Sequence, residues 1–138
     1  ATDHAPHTLE EKSRKYLDAP SGGPLVQHAL MAMLEKMEQG KISIEKIVEK
    51  MAHSPAELFR IKERGYIREG YWADLAIVDL QHGSKVTKSS LHYQCAWSPL
   101  EGHTFSSSIS HTFVSGHLAF ANGEFNQSKK GERLLFNR

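Results

Sequence analysis

Residues 71–80 read YWADLAIVDL. Ala76, Ile77 and Val78 form a β-type apolar run flanked by Asp74 and Asp79. Upstream the hydrophobic period is different. Leu25, Val26, Ala29, Leu30, Met33, Leu34 and Met37 recur at spacings of three and four, which predicts a helix over 25–39 with one apolar stripe. Pro24 suits its first position and Gly40 its end. Ser43 suits a second N-cap, although Lys46 replaces the acid of a full capping box. Ile44, Ile47, Val48 and Met51 make the next apolar face, and Ser54 is expected to cap a last short helix starting at Pro55.

Downstream, the strand pattern continues. Residues 108–125, SISHTFVSGHLAFANGEF, give two runs split by Ser115-Gly116, and Asn122-Gly123 makes a second turn. A strand is also expected within KVTKSSLHYQCAW, residues 85–97. The charged tail from Gln127 is expected to be loosely held. Residues 1–24 hold Pro6, Pro20 and Pro24 and the pair Gly22-Gly23, a composition that resists regular structure. Only 9–16, LEEKSRKY, suggests a short polar helical turn. Helices followed by strands predict an α+β chain of two units, 1–64 and 65–138, meeting near 62–66.

At 138 residues, one domain is the default. The formal net charge is +1, with Lys and Arg scattered among Asp and Glu, so no nucleic-acid partner and no anionic membrane is expected. No apolar stretch approaches the ~20 residues of a membrane span. The first residues lack the basic start and apolar run of a signal peptide, and cytoplasm is the expected compartment. Cys95 is the single cysteine, which excludes an internal disulfide and a CxxC site; within the run CAW it is expected to be a buried, inert thiol.

The chemistry-bearing stretch is TDHAPH, residues 2–7. Asp3 could ligate a metal through oxygen or act as a general base, and His4 and His7 could offer nitrogen. The same residues also fit a polar turn stiffened by Pro6. A catalytic zinc takes about three protein ligands. The other seven histidines, at 28, 53, 82, 92, 103, 111 and 117, form no HxH or HExxH pattern. The residues alone therefore supply a piece of a site.

Three segments carry a family resemblance. ATDHAPHTLEEK followed by SGGPLVQH resembles the C-terminal part of the dihydroorotases of the amidohydrolase superfamily. HSPAELFRIKERGYIREGYWADLAIVDL resembles the superfamily segment that leaves the last barrel helix and enters a small β-sandwich, and WSPLEGHTFSSSISHTFVSGHLAFANGEF resembles its closing strands. TDHAPH is specific to the dihydroorotases and close relatives; ADL-x-IVD is shared more widely.

The resemblance implies a fold and an activity. The fold is an α+β fragment: the end of a metal-dependent (β/α)8 barrel, after strand 8 and with its helices, then part of a β-sandwich. The site of such a barrel lies at the C-terminal ends of its strands. The activity is reversible hydrolysis of the cyclic amide of dihydroorotate to N-carbamoyl-aspartate in pyrimidine biosynthesis, with two Zn2+ per intact site. Asp3 takes the place of the metal-contacting general base and acid. His7, Ser21 and Gly22 take the places of substrate contacts, the last two through their backbone.

Two departures matter. Leu25-Val26-Gln27-His28 stands where many relatives have Gly-Leu-Glu-Thr, which leaves open a hydantoinase- or allantoinase-like substrate. The family's HxH pair, bridging lysine and two further histidine ligands belong to earlier strands and are not in this chain. The chain alone is therefore expected to be inactive and to hold no zinc, with the missing N-terminal barrel portion as its partner. A non-catalytic dihydroorotase-like assembly partner is the alternative. A homo-oligomer is expected, and the stripe of helix 25–39 should be covered by self-association or by the strands of 65–125.

Overall fold

The computed structural model describes residues 2–137. The first element, α1 (Leu9–Lys12), is a single turn held by a complete capping box: Thr8 Oγ1 accepts from Glu11 N, and the Glu11 carboxylate accepts from Thr8 N. The predicted helix over 25–39 starts later than its apolar pattern. Leu25 has φ −121°, so the chain first makes a 3₁₀ turn, Val26–His28, and only then α2 (Ala29–Glu38). Pro24 is fully buried outside the helix instead of opening it. The end is as expected: Gly40 N donates to Met37 O and Lys41 N to Lys36 O, the paired bonds of a Schellman stop.

Helix α3 (Ile44–Val48) is capped by Ser43, whose Oγ accepts from Lys46 N at 3.3 Å. The next expectation is corrected. Ser54 is not a cap, because its φ of −58° and ψ of −40° are helical and its side chain makes no capping bond. The chain runs on from α3 through a π-helical turn, Glu49–His53, into α4 (Ser54–Leu58). Pro55 has no N–H to give to the preceding turn, and the wider π turn is how the helix passes it without stopping.

Six short strands follow: β1 (Leu75–Asp79), β2 (Ser84–Lys85), β3 (Thr104–Phe105), β4 (Ser108–Val114), β5 (His117–Ala121) and β6 (Glu124–Phe125). An antiparallel sheet has the order β1-β4-β5-β6, and β2 pairs with β3. Ser115-Gly116 (φ 51° and 79°) and Asn122-Gly123 (φ 49° and 95°) form the two hairpin turns, with the positive φ pairs that match strand twist. The strand expected over 85–97 ends at Lys85. Thr87 N donates to Ser90 Oγ and Ser90 Oγ to Thr87 O, closing a 3₁₀ turn, Lys88–Ser90, and Ala96 has φ 55°. Local side-chain bonding has outcompeted the β pattern there. The tail is also better held than its composition suggests. Lys62 N donates to Leu135 O and Asn137 N to Arg60 O, both at 2.8 Å.

Met31 and Ala32, the residues by which α2 meets the later half of the chain, lie outside the predicted stripe. Met31 packs with Val86 and Phe105, and Ala32, Leu91, Leu100 and Ile109 close around them. Burial of that cluster supplies the hydrophobic link between helices and strands. Of the predicted stripe, Leu34 is buried, and the cluster with residues 86–109 includes none of the stripe's members. No helix of the described residues is long and apolar enough to cross a membrane.

Polar knots join the same parts. Arg64 is buried; its guanidinium pairs with the Asp74 carboxylate, donates to Ser115 Oγ at 3.2 Å and lies over the Trp72 ring. Asp74 also accepts from Ser115 N at 2.7 Å. Removing one side of such a pair leaves a desolvated charge. Arg64→Ala is expected to cost about 3 kcal/mol, and Ser115→Ala about 1 kcal/mol, by urea unfolding; equal effects would contradict the ranking. His28 is 2% exposed, its Nδ1 without a partner among the described residues. Burial, then the nearby His92, depress its pKa, so the folded chain holds it neutral. The unfolded chain takes up a proton that the folded chain resists, so stability is full above about pH 6.5 and falls as pH drops below it. His28→Gln should make unfolding midpoints measured from pH 7.5 to 5.5 less pH-dependent; an unchanged slope would contradict this.

Candidate functional site

The motif TDHAPH forms a short extended strip laid beside the SGG loop. His4 and Gly23 make a parallel bridge, and Ala5 N donates to Gly23 O at 3.1 Å. The approach is close enough to demand glycine at 22. A Cβ there would lie 2.6 Å from the Ala5 Cβ, and Gly22 has φ 86°. Pro6 disfavours a helical conformation at Ala5, and His7 N turns back to donate to Ala5 O at 2.9 Å.

Each nominated residue has a definite place. Asp3 is exposed, with φ 47°, an uncommon conformation that aspartate tolerates better than most residues. His7 is half-buried; its carbonyl accepts from Trp97 Nε1 at 2.7 Å, and its Nδ1 lies 3.9 Å from the Glu11 carboxylate. Glu11 is itself held below the usual carboxylate range by the Thr8 backbone N–H and then the Thr8 hydroxyl. Ser21 and Gly22 are exposed. The fold brings the loops carrying these four residues side by side. His4 plays a different part. Its Nδ1 accepts from Leu25 N at 3.1 Å, which commits that lone pair to the backbone.

Several residues that hold the site were not nominated from sequence. Tyr93 packs its ring 5.3 Å from that of His4, and its hydroxyl accepts from Gln27 N at 2.9 Å. Burial pushes the Tyr93 phenol up. Gln27 donates to Ser90 O and accepts from His92 N, tying the loop after Gly23 to the segment after β2. Trp97 reaches across ninety positions to His7. Such contacts leave no spacing signal, because they depend on how the 86–103 segment is folded. Cys95 is half-buried, more exposed than its apolar setting suggests, and its Sγ lies 3.9 Å from Trp97 O.

No three His, Cys, Asp or Glu side chains among the described residues converge to hold an ion. With His4 Nδ1 committed to the backbone, the motif does not make a zinc site by itself.

Known proteins resemble this chain over most of its length. The model of the amidohydrolase family matches residues 1–119. A dihydroorotase of Halobacterium salinarum is 42% identical over 103 residues, covering 75% of this chain and 24% of that protein. A dihydroorotase of Pyrococcus abyssi is 33% identical over 135 residues, covering 98% of this chain and 32% of that protein. Among solved structures, an L-hydantoinase (dihydropyrimidinase) from Arthrobacter aurescens superposes with a TM-score of 0.79 at 31% identity, over 90% of this chain and 29% of that one. A D-hydantoinase from a Thermus species gives a TM-score of 0.82 at 24% identity, over 90% and 28%. The chain thus spans between about a quarter and a third of the length of these proteins. A motif strip locked to a glycine loop, an α+β order with small sheets, and a family match over 119 residues lead to one conclusion: the chain belongs to the amidohydrolase family.

Proposed function

We propose that this chain is the C-terminal portion of a dihydroorotase, which opens the cyclic amide of dihydroorotate to N-carbamoyl-aspartate and closes it again in pyrimidine biosynthesis. The observation that carries the reading is the pairing of the TDHAPH strip with the SGG loop, which presents Asp3, Ser21 and Gly22 on adjacent exposed backbone. Residues 1–64 are then the end of a (β/α)8 catalytic barrel and 65–138 part of a β-sandwich. The other partners are the N-terminal barrel portion and a second copy of the enzyme, in the cytoplasm.

The chemistry follows from an exposed carboxylate beside a backbone loop. Asp3 accepts a proton from the attacking water as its oxygen bonds to the ring amide carbonyl carbon. The C–N bond then breaks, and Asp3 returns that proton to the departing nitrogen. The products are a ureido group and a carboxylic acid, which gives its remaining proton to solvent. Run backward, Asp3 takes the ureido N–H proton as that nitrogen bonds to the carbon of the protonated carboxyl group, then gives the proton to the departing oxygen, which leaves as water. His7 and the Ser21 and Gly22 peptide groups orient the substrate. Two Zn2+ ions are proposed for the whole site, with Asp3 as one of their contacts and the remaining ligands outside this chain.

A related reading has its own support. The L-hydantoinase superposition and the Leu25–His28 departure favour a hydantoin-type ring as the alternative substrate. Comparing dihydroorotate with hydantoin and allantoin as substrates of the full-length enzyme decides between them; turnover of hydantoin alone would overturn the dihydroorotase reading.

Two outcomes are expected. In the full-length enzyme, Asp3→Asn lowers kcat by about 10²- to 10⁴-fold, as for loss of a general acid–base group, while thermal stability holds. Unchanged kcat would remove Asp3 from the mechanism. The isolated chain yields no N-carbamoyl-aspartate from dihydroorotate, and mixing it with the separately expressed N-terminal portion restores activity. Turnover by the chain alone would show that the chain carries a complete site.

A further inference from the structure

We infer that Lys12 is a positioning residue for substrate binding, acting by clamping the backbone on both sides of Ser21. This rests on the proposed function, in which the Ser21–Gly22 backbone meets the substrate. Lys12 Nζ donates to Pro20 O at 2.6 Å and to Gly22 O at 3.0 Å. These carbonyls flank Ser21, which is exposed and has no hydrogen-bond partner among the described residues. The clamp fixes the neighbours and leaves the peptide groups of Ser21 for a ligand.

The lysine is itself well anchored. Its backbone N donates to Thr8 O at 3.1 Å within the turn closed by the Thr8–Glu11 box. Ser13 Oγ donates to Leu9 O at 2.7 Å and tightens the same turn. No carboxylate forms an ion pair with Lys12 among the described residues. Its charge is directed at the two carbonyls, and bonds from an ion are stronger than neutral ones. On the far side, Gly22 abuts Ala5 of the motif strip. The segment is therefore gripped from two directions, by α1 and by the strip that carries Asp3.

This grip has a kinetic signature. A Pro-Ser-Gly-Gly segment is flexible, and ordering it on binding would cost affinity. Holding it in place beforehand lowers KM without touching the proton transfer assigned to Asp3. Lysine has three donors on one compact head, and two suffice for the clamp. Arginine keeps the charge and several donors, whereas methionine keeps the stem and loses both.

The test uses Lys12→Met and Lys12→Arg in the full-length enzyme, with two measurements. Steady-state kinetics on dihydroorotate should show KM raised at least about tenfold in Lys12→Met with kcat within about threefold of wild type, and most of the loss recovered in Lys12→Arg. Amide hydrogen exchange across 20–23 should quicken in Lys12→Met and stay near wild type in Lys12→Arg, with exchange elsewhere unchanged. Unchanged KM in an active Lys12→Met enzyme, or equal losses in both variants, overturns the inference. So does unchanged exchange across 20–23. If the wild-type enzyme leaves dihydroorotate intact, the functional reading fails instead, and exchange alone decides whether Lys12 is the clamp.

Discussion

The interaction on which the rest depends is the pairing of buried Arg64 with Asp74. Arg64 follows the last helix, Asp74 immediately precedes β1, and Ser115, bonded to both, is the turn between β4 and β5. Three distant parts of the sequence therefore meet around one guanidinium. A fourth joins through Glu132 N, which donates to Ser115 Oγ at 3.0 Å. Glycine makes the approach possible. A Cβ on Gly65 would collide with the Ala56 side chain and come within 2.9 Å of Ala52 O. A larger residue there would push the Arg64 backbone off the helix and pull the knot apart.

The knot fixes one end of the helix–strand junction, and the apolar cluster around Met31, Val86 and Phe105 fixes the other. Their roles differ in kind. Hydrophobic burial holds α2 against the 86–109 segment without specifying a register. The directional bonds of Tyr93, Gln27 and Trp97 then set where that segment meets the motif strip. The site loops rest on this second layer. Their geometry is thus inherited from residues 63 to 90 positions away.

Much of this organisation was legible in the chain. The period change around residues 71–80, the Gly40 stop, the Ser43 cap and both hairpin turns each have a local cause. The errors also have physical causes. Apolar spacing extends through Leu25 and Val26, yet buried Pro24 and the φ of Leu25 delay the helix to Ala29. Ser54 before Pro55 looks like a start only where the preceding turn is an ordinary α turn, and a π turn removes that need. In 85–97, reciprocal Thr87–Ser90 bonds replace a strand. The tail is secured by main-chain bonds, and composition carries no trace of those. For the site, TDHAPH and SGG were visible as motifs, whereas their side-by-side placement was not. It required the steric fit of Gly22 on Ala5.

The same steric fit explains why the motif needs its neighbours. Asp3 has a positive φ at the open end of the strip, a costly conformation that persists only where surrounding structure imposes it. The strip supplies that constraint through the His4–Gly23 bridge and through His4 Nδ1, which ties it to the residues after the loop. A histidine spent on backbone N–H groups cannot give the same nitrogen to a metal. The motif thus divides its polar residues: His4 builds the strip, and Asp3 is left exposed. One exposed carboxylate falls short of the ligand set that a catalytic zinc takes.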